Sequence, residues 1–512
     1  MTPHRIVIVG NGMAGARLVE GLLARAQAER PLEIVVFGDE PGGCYNRILL
    51  SGLLAGTYRA ADIVTNPVEW YAANHVRLHA GRRVTRIDLD TRQVCADGLA
   101  EPFDSLVLAT GSSASVPPLD GLRDGRGALK AGAFVFRTMD DCEGMLAMAR
   151  HARTAAVVGG GLLGLEAARG LRHQGLDVQV VHLSAHVMDA QLDPPGSETL
   201  ARQLAGMGLT MLTSRSTVAV LGHDRVDGLR FSDGSEIACD LLVIATGIRP
   251  NVELAERAGL DVKRGIVVGD DLACAGASDV YAIGECAEHR GHLYGLVAPV
   301  WEQADVLAAR LTGTAPDATY VGSRLATRLK VAGLDVAVMG DKVCEGSDEV
   351  ISYAEPSRGI YTRLIVRDNR LVGAILIGSG AIVPTLTQHF LEEAPLTSRR
   401  SDLLFPPTTD APLRAVEQIP DAARICDCNA VSKGQIVQAV LQGARSLQRV
   451  RDVTRAATGC GSCRPEVQRI VDHACRQVDA HDVRAVEDIK VEAHDGDCAR
   501  PAARIAGQHA NA

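Results

Sequence analysis

A unit that occurs twice constrains the fold of this chain more than any other feature of its sequence. Each copy is a short apolar strand that runs into a Gly-x-Gly-x-x-Gly motif and then into a helix rich in alanine and leucine. The six glycines are Gly10, Gly12 and Gly15 in the first copy and Gly159, Gly161 and Gly164 in the second. Each copy continues with a second strand, at residues 33–37 and 177–181, and later with an apolar strand that ends in Ala-Thr-Gly. Strands that alternate with helices predict parallel sheets with right-handed crossovers, so two Rossmann-like α/β domains are expected.

The glycine motif has a mechanical explanation that points to dinucleotide binding. The first glycine permits a tight turn, the second lets the backbone approach a pyrophosphate, and the third allows close packing of helix and strand. A strand before each motif and a helix after it strengthen this interpretation. The residues predicted to lie along a dinucleotide are Gly10, Gly12, Met13, Ala14, Gly15, Thr110 and Gly111 in the first copy and Gly159, Gly161, Leu162, Leu163, Gly164, Thr246 and Gly247 in the second.

The residues that would contact the adenosine ribose are less clear from the sequence. In the first copy the strand ends at Phe37, and Asp39 and Glu40 follow one and two positions later than the usual carboxylate. Either is a candidate ligand, and a solvated loop is the alternative. In the second copy the strand is followed by His182, which is neither a carboxylate for a 2′-hydroxyl nor an arginine for a 2′-phosphate. His182 is a candidate ribose contact or an ordinary surface histidine, and NADH and NADPH are not distinguished.

Four cysteines in two close pairs indicate a metal centre near the C-terminus. The pairs are Cys426 and Cys428, in C-x-C spacing, and Cys460 and Cys463, in C-x-x-C spacing. Cysteine thiolates at such spacing are typical ligands of a [2Fe–2S] cluster, and structural zinc is the alternative. Seven other cysteines are scattered singly before position 425, as expected of buried thiols in a reducing compartment. Cys475 and Cys498 have no matching role.

Charge and composition exclude several classes of protein. The net charge of −9 and the aromatic content of 3% argue against a nucleic-acid-binding protein, which needs a basic surplus and stacking side chains. The N-terminal residues enter an apolar strand at once, which leaves no room for a secretory signal. No apolar run approaches the roughly 18 residues of a membrane span. We therefore expect a cytoplasmic protein.

The order of the motifs resembles that of the flavoprotein reductases with two dinucleotide domains. In that family the first glycine motif binds FAD and the second, inserted unit binds NAD(P)H. The resemblance implies that Gly284 and Glu285 belong to a motif whose carboxylate holds the ribityl chain of FAD, and that Glu166 lies close to the nicotinamide; a glutamate placed by the helix dipole is the alternative for Glu166. Members that reduce disulfides carry a cysteine pair beside the flavin, whereas Cys44 and Cys286 have no close neighbour in the sequence.

Two further resemblances narrow the prediction. The segment from Cys426 to about residue 467 is similar to the bacterioferritin-associated-ferredoxin-like [2Fe–2S] domain. Stretches that include Tyr45-Asn46-Arg47, Gly284-Glu285-Cys286 and residues 327–333 resemble the flavoprotein half of assimilatory nitrite reductase large subunits, over about residues 5–475. In that family the Tyr-x-Arg segment lies along FAD, so Arg47 is a candidate phosphate or adenine contact, with a surface arginine as the alternative.

These patterns predict a chain of several domains. We expect an FAD-binding domain at residues 1–118 and 245–315, an NAD(P)-binding domain at 119–244 and a small α+β domain at 316–405. A proline-rich linker at 406–421 leads to a helical [2Fe–2S] domain at 422–475, and residues 476–512 are predicted to be a disordered tail.

The predicted function is electron transfer from NAD(P)H through FAD and the cluster to a partner protein. Nitrite reductase large subunits continue into a sirohaem half, which this sequence lacks. The resemblance therefore implies an electron-transfer subunit of assimilatory nitrate reductase, with a molybdenum-containing catalytic subunit as its partner. One alternative is a reductase whose acceptor is a nitrite reductase, a rubredoxin or a ferredoxin, and another is a redox sensor. The sequence does not decide whether the chain forms a homodimer. Hydride transfer to a flavin needs no side-chain acid or base, so no catalytic residue is predicted.

Overall fold

The computed structural model describes residues 2–331, 333–396, 399–405, 416–426, 429, 431–459, 461 and 463–492. The chain divides into two compact units, Met1–Thr409 and Asp410–Ala512. The division falls within the linker predicted at 406–421. Residues 406–415 of that linker lie outside the described residues.

The first unit contains a five-stranded parallel sheet built around the first glycine motif. Its strands in spatial order are Val280–Ala282, Ser105–Leu108, His4–Val9, Leu32–Phe37 and Arg77–His79. In the central strand Ile6, Val7 and Ile8 are all fully buried, which is typical of a parallel sheet covered on both faces. The helix after the motif, Met13–Arg25, packs against the helix Val297–Thr312.

A second five-stranded parallel sheet repeats this arrangement around the second glycine motif. Its strands in spatial order are Ala133–Val135, Leu241–Ile244, Thr154–Val158, Asp177–Val181 and Leu209–Leu212. The helices of this part are Met139–Ala149, Leu162–His173 and Pro194–Gly206. In both sheets the glycine strand is central and the Ala-Thr-Gly strand is its neighbour. The edge strand beside the Ala-Thr-Gly strand comes from a different place in the sequence in each sheet. In the first sheet this strand, Val280–Ala282, follows the other four strands in the sequence, and in the second sheet it, Ala133–Val135, precedes them.

The two sheets are joined by paired connecting strands. Ser112–Ala114 and Ile248–Pro250, which directly follow the two Ala-Thr-Gly motifs, pair in antiparallel fashion. Short antiparallel or mixed strands complete the unit: Cys44–Tyr45, Val64–Asn66, Arg86–Asp88, Gln93–Ala96, Leu99–Pro102, Thr217–Leu221, Gly228–Phe231, Glu236–Ala238, Ile266–Val268, Ala287–His289 and His292–Leu293. The short helices are Arg47–Leu49, Leu50–Leu54, Ala60–Ile63, Val68–Ala73, Glu253–Arg257, Gly284–Cys286 and Pro356–Arg358.

The small α+β part follows as an antiparallel sheet with two helices. Its strands in spatial order are Ala326–Val331, Leu334–Gly340, Arg370–Ile377, Ile360–Arg367 and Glu349–Glu355, and its helices are Val383–Glu392 and Arg400–Leu404. The sequence did not predict the edge strand Glu349–Glu355, none of whose side chains is buried. This sheet packs on the second α/β part, where Asp193 accepts hydrogen bonds from Tyr361 Oη at 2.5 Å and Arg363 Nη1 at 2.7 Å.

The second unit consists of a short hairpin and helices. The hairpin pairs Arg424–Cys426 with Val431–Ser432, and a 3₁₀ turn, Val416–Gln418, precedes it. The helices are Lys433–Leu441, Leu447–Thr454 and Arg464–Glu492. The sequence predicted a disordered tail from residue 476, whereas the last helix continues through Glu492 because residues 476–492 contain neither glycine nor proline. No helix in the described ranges is long and apolar enough to cross a membrane.

Candidate cofactor sites

The first glycine motif has the tight geometry that its sequence predicts. Gly10 adopts a φ of 120°, and a Cβ atom there would lie 2.1 Å from the carbonyl oxygen of Ala109. A Cβ atom on Gly15 would lie 2.0 Å from the carbonyl oxygen of Gly10, so this glycine lets helix and strand approach closely. Neither position tolerates a larger residue without movement of the backbone.

The space beside Gly12 suits a pyrophosphate. A Cβ atom on Gly12 would have no neighbour nearer than Arg47 Nε, at 4.0 Å. Gly12 caps the helix Met13–Arg25 without a side-chain hydrogen bond, and the first turn contains no acidic residue. The exposed N–H groups of that turn and the arginine therefore favour an anion, which fits the phosphates of a dinucleotide.

The late motif, Gly284-Glu285, lies beside the first glycine motif. A Cβ atom on Gly284 would lie 3.0 Å from Ala14 Cβ. Gly284 N–H donates to Gln303 Oε1 at 2.7 Å, and the fully buried Gln303 Nε2 has no hydrogen-bond partner among the described residues. A buried amide donor without an acceptor is costly, so a polar ligand group fits here. The sequence did not single out Gln303, which only the tertiary structure brings to this motif.

The two carboxylates after the strand Leu32–Phe37 differ in environment. Glu40 accepts a hydrogen bond from Tyr45 Oη at 2.7 Å and forms an ion pair with Arg47. Asp39, by contrast, is exposed to solvent. Glu40 therefore orients Arg47, whereas the Asp39 carboxylate faces solvent. The Arg47 guanidinium also lies 5.1 Å from the centre of the Tyr45 ring.

Glu285 is paired with an arginine that the sequence did not single out. Glu285 Oε2 accepts from Ser112 Oγ at 2.7 Å and forms an ion pair with Arg137. Arg137 Nε donates to the Ser112 carbonyl at 3.1 Å, and the Arg137 carbonyl accepts from Arg47 Nη1 at 2.9 Å. Arg137 therefore links Arg47, at the phosphate end, to Glu285, at the late motif.

Replacing Arg137 by glutamine should loosen FAD and destabilise the fold. Hydrogen bonds to charged groups contribute about 1.5–3 kcal/mol each, and Glu285 would lose its cation. We expect faster FAD release in gel filtration and a fall of about 1–3 kcal/mol in the free energy of unfolding. Arg137→Lys should recover only part of the effect because lysine cannot reproduce the forked geometry. The control is Arg126→Gln, at an exposed loop position; equal FAD retention in both variants would contradict the assignment.

The threonines of the two Ala-Thr-Gly motifs hold the connecting strands together. Thr110 Oγ1 donates to the Asn251 carbonyl at 2.7 Å, and Thr246 Oγ1 donates to the Ser115 carbonyl at 2.6 Å. Their hydroxyls are thus occupied within the protein. Gly111 and Gly247, by contrast, would have no atom within 4 Å of an added Cβ, so backbone is open beside each glycine motif.

The second glycine motif repeats the geometry of the first. A Cβ atom on Gly159 would lie 2.1 Å from the Ala245 carbonyl oxygen, and one on Gly164 would lie 1.9 Å from the Gly159 carbonyl oxygen. Gly161 would have nothing within 4 Å and caps the helix Leu162–His173 without a side-chain bond. Leu162, Leu163 and Glu166 lie half-buried in the first turns of that helix. This site also fits the phosphates of a dinucleotide.

His182 contacts the second glycine motif directly. Gly160 N–H donates to His182 Nδ1 at 3.1 Å. The side chain is 13% exposed, and its buried Nε2 lies 3.3 Å from Asp189 Oδ1 without the alignment of a hydrogen bond. His182 is therefore not an ordinary surface histidine, which was the alternative interpretation of the sequence.

The isolated cysteines of the first unit lie in buried positions or pack within the protein. Cys286 is fully buried, and its thiol donates towards the carbonyls of Ile283 at 3.3 Å and Leu108 at 3.5 Å. Burial raises the pKa of the Cys286 thiol, which keeps it protonated. Cys44 is 2% exposed. No disulfide joins any two of the cysteines that the structure describes.

Two of the four predicted cluster ligands lie together in the second unit. Cys426 is buried, and a hydrogen bond with Cys463 lowers the pKa of its thiol to about 7, assisted by N–H groups of Ala457 and Asn429. The Asn429 amide lies 3.8 Å from Cys426 Sγ and donates to the Arg455 carbonyl at 2.7 Å. A thiol that ionises easily suits metal ligation. Cys428 and Cys460 lie outside the described residues, as does Cys498.

Family comparisons agree with this architecture. Residues 4–307 match the pyridine nucleotide-disulphide oxidoreductase family, residues 326–390 the rubredoxin NAD⁺ reductase C-terminal domain, and residues 424–473 the BFD-like [2Fe-2S] binding domain. The match to the pyridine nucleotide-disulphide oxidoreductase family indicates an NAD(P)H-dependent FAD oxidoreductase. The chain belongs to the pyridine nucleotide-disulphide oxidoreductase family. The matches indicate FAD, NAD(P)H and a [2Fe–2S] cluster as cofactors, and the predicted fold class is confirmed.

Two individual proteins from Bacillus subtilis are similar to most of this chain. A nitrite reductase [NAD(P)H] of Bacillus subtilis (strain 168) is 41% identical over 478 residues, which cover 92% of this chain and 58% of the relative. An assimilatory nitrate reductase electron transfer subunit of the same strain is 39% identical over 473 residues, 92% of this chain and 60% of the relative. This chain thus spans about three-fifths of the length of each.

A solved structure has a similar fold. One chain of the crystal structure of the covalent putidaredoxin reductase–putidaredoxin complex matches with a TM-score of 0.69, at 24% identity, over 77% of this chain and 94% of that one.

Proposed function

We propose that the chain carries electrons from NAD(P)H to a separate protein, of which the molybdenum-containing catalytic subunit of an assimilatory nitrate reductase is the best supported. The observation that carries this proposal is the close pair Cys426 and Cys463, in a unit of its own after the reductase. The name of the 39% identical electron transfer subunit supports the choice of partner.

The proposed binding residues divide between the two sheets. For FAD they are Gly10, Gly12, Met13, Ala14, Gly15, Asp39, Arg47, Thr110, Gly111, Gly284 and Glu285, with Glu40, Arg137 and Gln303 as positioning residues. For NAD(P)H they are Gly159, Gly161, Leu162, Leu163, Gly164, Glu166, His182, Thr246 and Gly247. The cluster ligands are Cys426, Cys428, Cys460 and Cys463. The predicted domain limits of 1–118 with 245–315, 119–244, 316–405 and 422–475 are kept as part of the proposal.

The protein's contribution is to bind and orient. FAD held at the first glycine motif would supply an acceptor for the electron pair of a hydride from NAD(P)H, and a [2Fe–2S] cluster held by the four cysteines would supply one-electron transfer. Arg47 and the uncapped turn after Gly12 neutralise phosphate charge, and Gly161 leaves the equivalent space in the second sheet. Asn429 and Ala457 direct N–H groups at Cys426 Sγ. No side chain has to donate or remove a proton.

A nitrite reductase is the second candidate acceptor. The 41% identical relative bears that name, and the matched region covers a similar share of both relatives. Because both relatives extend beyond the matched region, chain length does not distinguish the two acceptors.

Reconstitution with each acceptor tests the proposal. The purified chain, loaded with FAD and cluster, is mixed with NADH and either a molybdenum nitrate reductase subunit or a sirohaem nitrite reductase. We expect nitrite formation from nitrate with the first and little ammonium formation with the second. The reverse result would favour the second candidate. If neither acceptor is reduced while ferricyanide is reduced rapidly, the choice between these two acceptors fails and a rubredoxin or ferredoxin becomes the better candidate. If ferricyanide is also reduced only slowly, the electron-transfer proposal fails and a redox sensor becomes the better explanation.

A further inference from the structure

The end of the strand Asp177–Val181 is the place where the sequence leaves the choice of coenzyme open. In this fold a carboxylate at that point accepts a hydrogen bond from the adenosine 2′-hydroxyl of NADH, whereas a cation there accommodates the 2′-phosphate of NADPH. The residue at this point is His182. Any role of this strand end in coenzyme choice rests on the proposed function of the second sheet as the coenzyme site.

His182 is fixed with one nitrogen towards the glycine motif. Its ring lies against Gly160, where an added Cβ would be 2.9 Å from His182 Cγ. Because Nδ1 accepts the Gly160 N–H bond at 3.1 Å, the proton of the neutral ring resides on Nε2. Nε2 is buried and unbonded within the described part of the chain, and Asp189 Oδ1 lies 3.3 Å away.

The loop after the strand brings Asp189 back to the strand end. Asp189 Oδ2 accepts a hydrogen bond from Ser184 Oγ at 2.6 Å. This bond, with the nearby His182, lowers the pKa of Asp189, so the group is anionic at neutral pH. The side chain is 47% exposed, which leaves carboxylate surface open to a ligand. Asp189, seven positions after His182 in the sequence, thus places a carboxylate near the strand end, where the strand-end residue itself usually supplies one.

The neighbouring cations are engaged elsewhere. Arg215 donates its backbone N–H to the His182 carbonyl at 3.0 Å, but its guanidinium pairs with Asp233 and lies 5.7 Å from the centre of the Phe231 ring. Lys342, from the small α+β part, binds the backbone carbonyl of Asp189. Both cationic groups are therefore already bound to partners other than the Asp189 carboxylate.

We propose that Asp189, positioned by His182 and Ser184, accepts a hydrogen bond from the adenosine 2′-hydroxyl of NADH and repels the 2′-phosphate of NADPH, so that the chain prefers NADH. A 2′-phosphate would place a second anion beside a carboxylate whose neighbouring cations, Arg215 and Lys342, are already engaged. The discrimination resides in the adenosine half of the coenzyme, and it can therefore be measured without hydride transfer.

The test compares ADP-ribose with 2′-phospho-ADP-ribose by titration calorimetry on the FAD-loaded full chain. The wild type should bind ADP-ribose at least about tenfold more tightly, and Asp189→Asn should bring the two dissociation constants within about threefold of each other. The control is Asp224→Asn, which removes another histidine-paired aspartate, 93% exposed and 2.8 Å from His223; it should retain the wild-type ratio.

The possible outcomes separate this inference from the proposed function. Equal binding of the two ligands to the wild type, or an unchanged ratio in Asp189→Asn, overturns the NADH preference alone. If the wild type binds neither ligand, the coenzyme role of the second sheet fails as well. Should Asp189→Asn lose FAD or unfold, Ser184→Ala removes the bond that positions the carboxylate, and an unchanged ratio in that variant would also overturn the inference.

Discussion

Replacing Cys426 by serine should stop electron delivery to a protein acceptor while NADH still reduces the flavin. Cys426 Sγ is buried beside Cys463 and accepts hydrogen bonds from the N–H groups of Ala457 and Asn429. This is the environment of a ligating thiolate. Loss of a residue that merely supports a metal ligand costs about 10- to 100-fold in metal affinity or activity, so loss of a ligand should exceed that. The glycine motifs belong to the first unit and keep their geometry.

Stopped-flow spectroscopy under anaerobic conditions separates the two half-reactions. Bleaching of the flavin band by NADH should keep its wild-type rate, whereas iron content and the EPR signal of the reduced protein should fall. The control is Cys475→Ser, in the same unit, whose thiol donates to the Arg445 carbonyl at 3.7 Å. Stoichiometric zinc and no iron in the wild type would contradict the cluster assignment. Loss of flavin reduction in Cys426→Ser would instead indicate a structural role for this site.

The features of the glycine motifs that can be predicted from the sequence are those imposed by local sterics. A helix can follow a strand after only three intervening residues and still pack on it only if residues such as Gly10 and Gly15 have no side chain, since added Cβ atoms would lie 2.1 Å and 2.0 Å from backbone oxygens. The spacing of the glycines in the sequence therefore predicts this geometry directly. The same holds for the starts of the helix Met13–Arg25, which follows Gly12, and of the strand Asp177–Val181, which follows Gly175 closely.

The residues that the sequence did not indicate depend on contacts between distant segments. Arg137 reaches Glu285 across 148 positions, and Gln303 reaches Gly284 from another helix. Asp189 becomes a candidate coenzyme ligand only because the loop that contains it folds back on His182. None of these belongs to a short motif, so no spacing rule could have selected them. The edge strand Glu349–Glu355 was missed for a different reason, because an exposed strand carries little hydrophobic signal.

Alanine at Gly164 and alanine at Gly161 should both weaken NADH binding, but for different physical reasons. At Gly164 an added methyl would lie 1.9 Å from the Gly159 carbonyl oxygen, so the helix must move away from its strand. Overpacking of this kind costs about 1–3 kcal/mol in the free energy of unfolding. At Gly161 the φ is −81° and no protein atom lies within 4 Å, so alanine fits the protein itself. Its methyl would instead enter the space left for a pyrophosphate.

Thermal or denaturant unfolding, measured together with ADP-ribose titration, distinguishes the two effects. Gly164→Ala should lose both stability and binding, whereas Gly161→Ala should keep the wild-type stability to within about 0.5 kcal/mol and weaken ADP-ribose at least about tenfold. Gly206→Ala, at the end of a helix in the same part and with nothing within 4 Å, should change neither quantity. If Gly161→Ala bound ADP-ribose as tightly as the wild type, the space beside Gly161 would not be the phosphate site. The second glycine motif would then serve only to pack helix against strand, and hydride would have to enter from elsewhere.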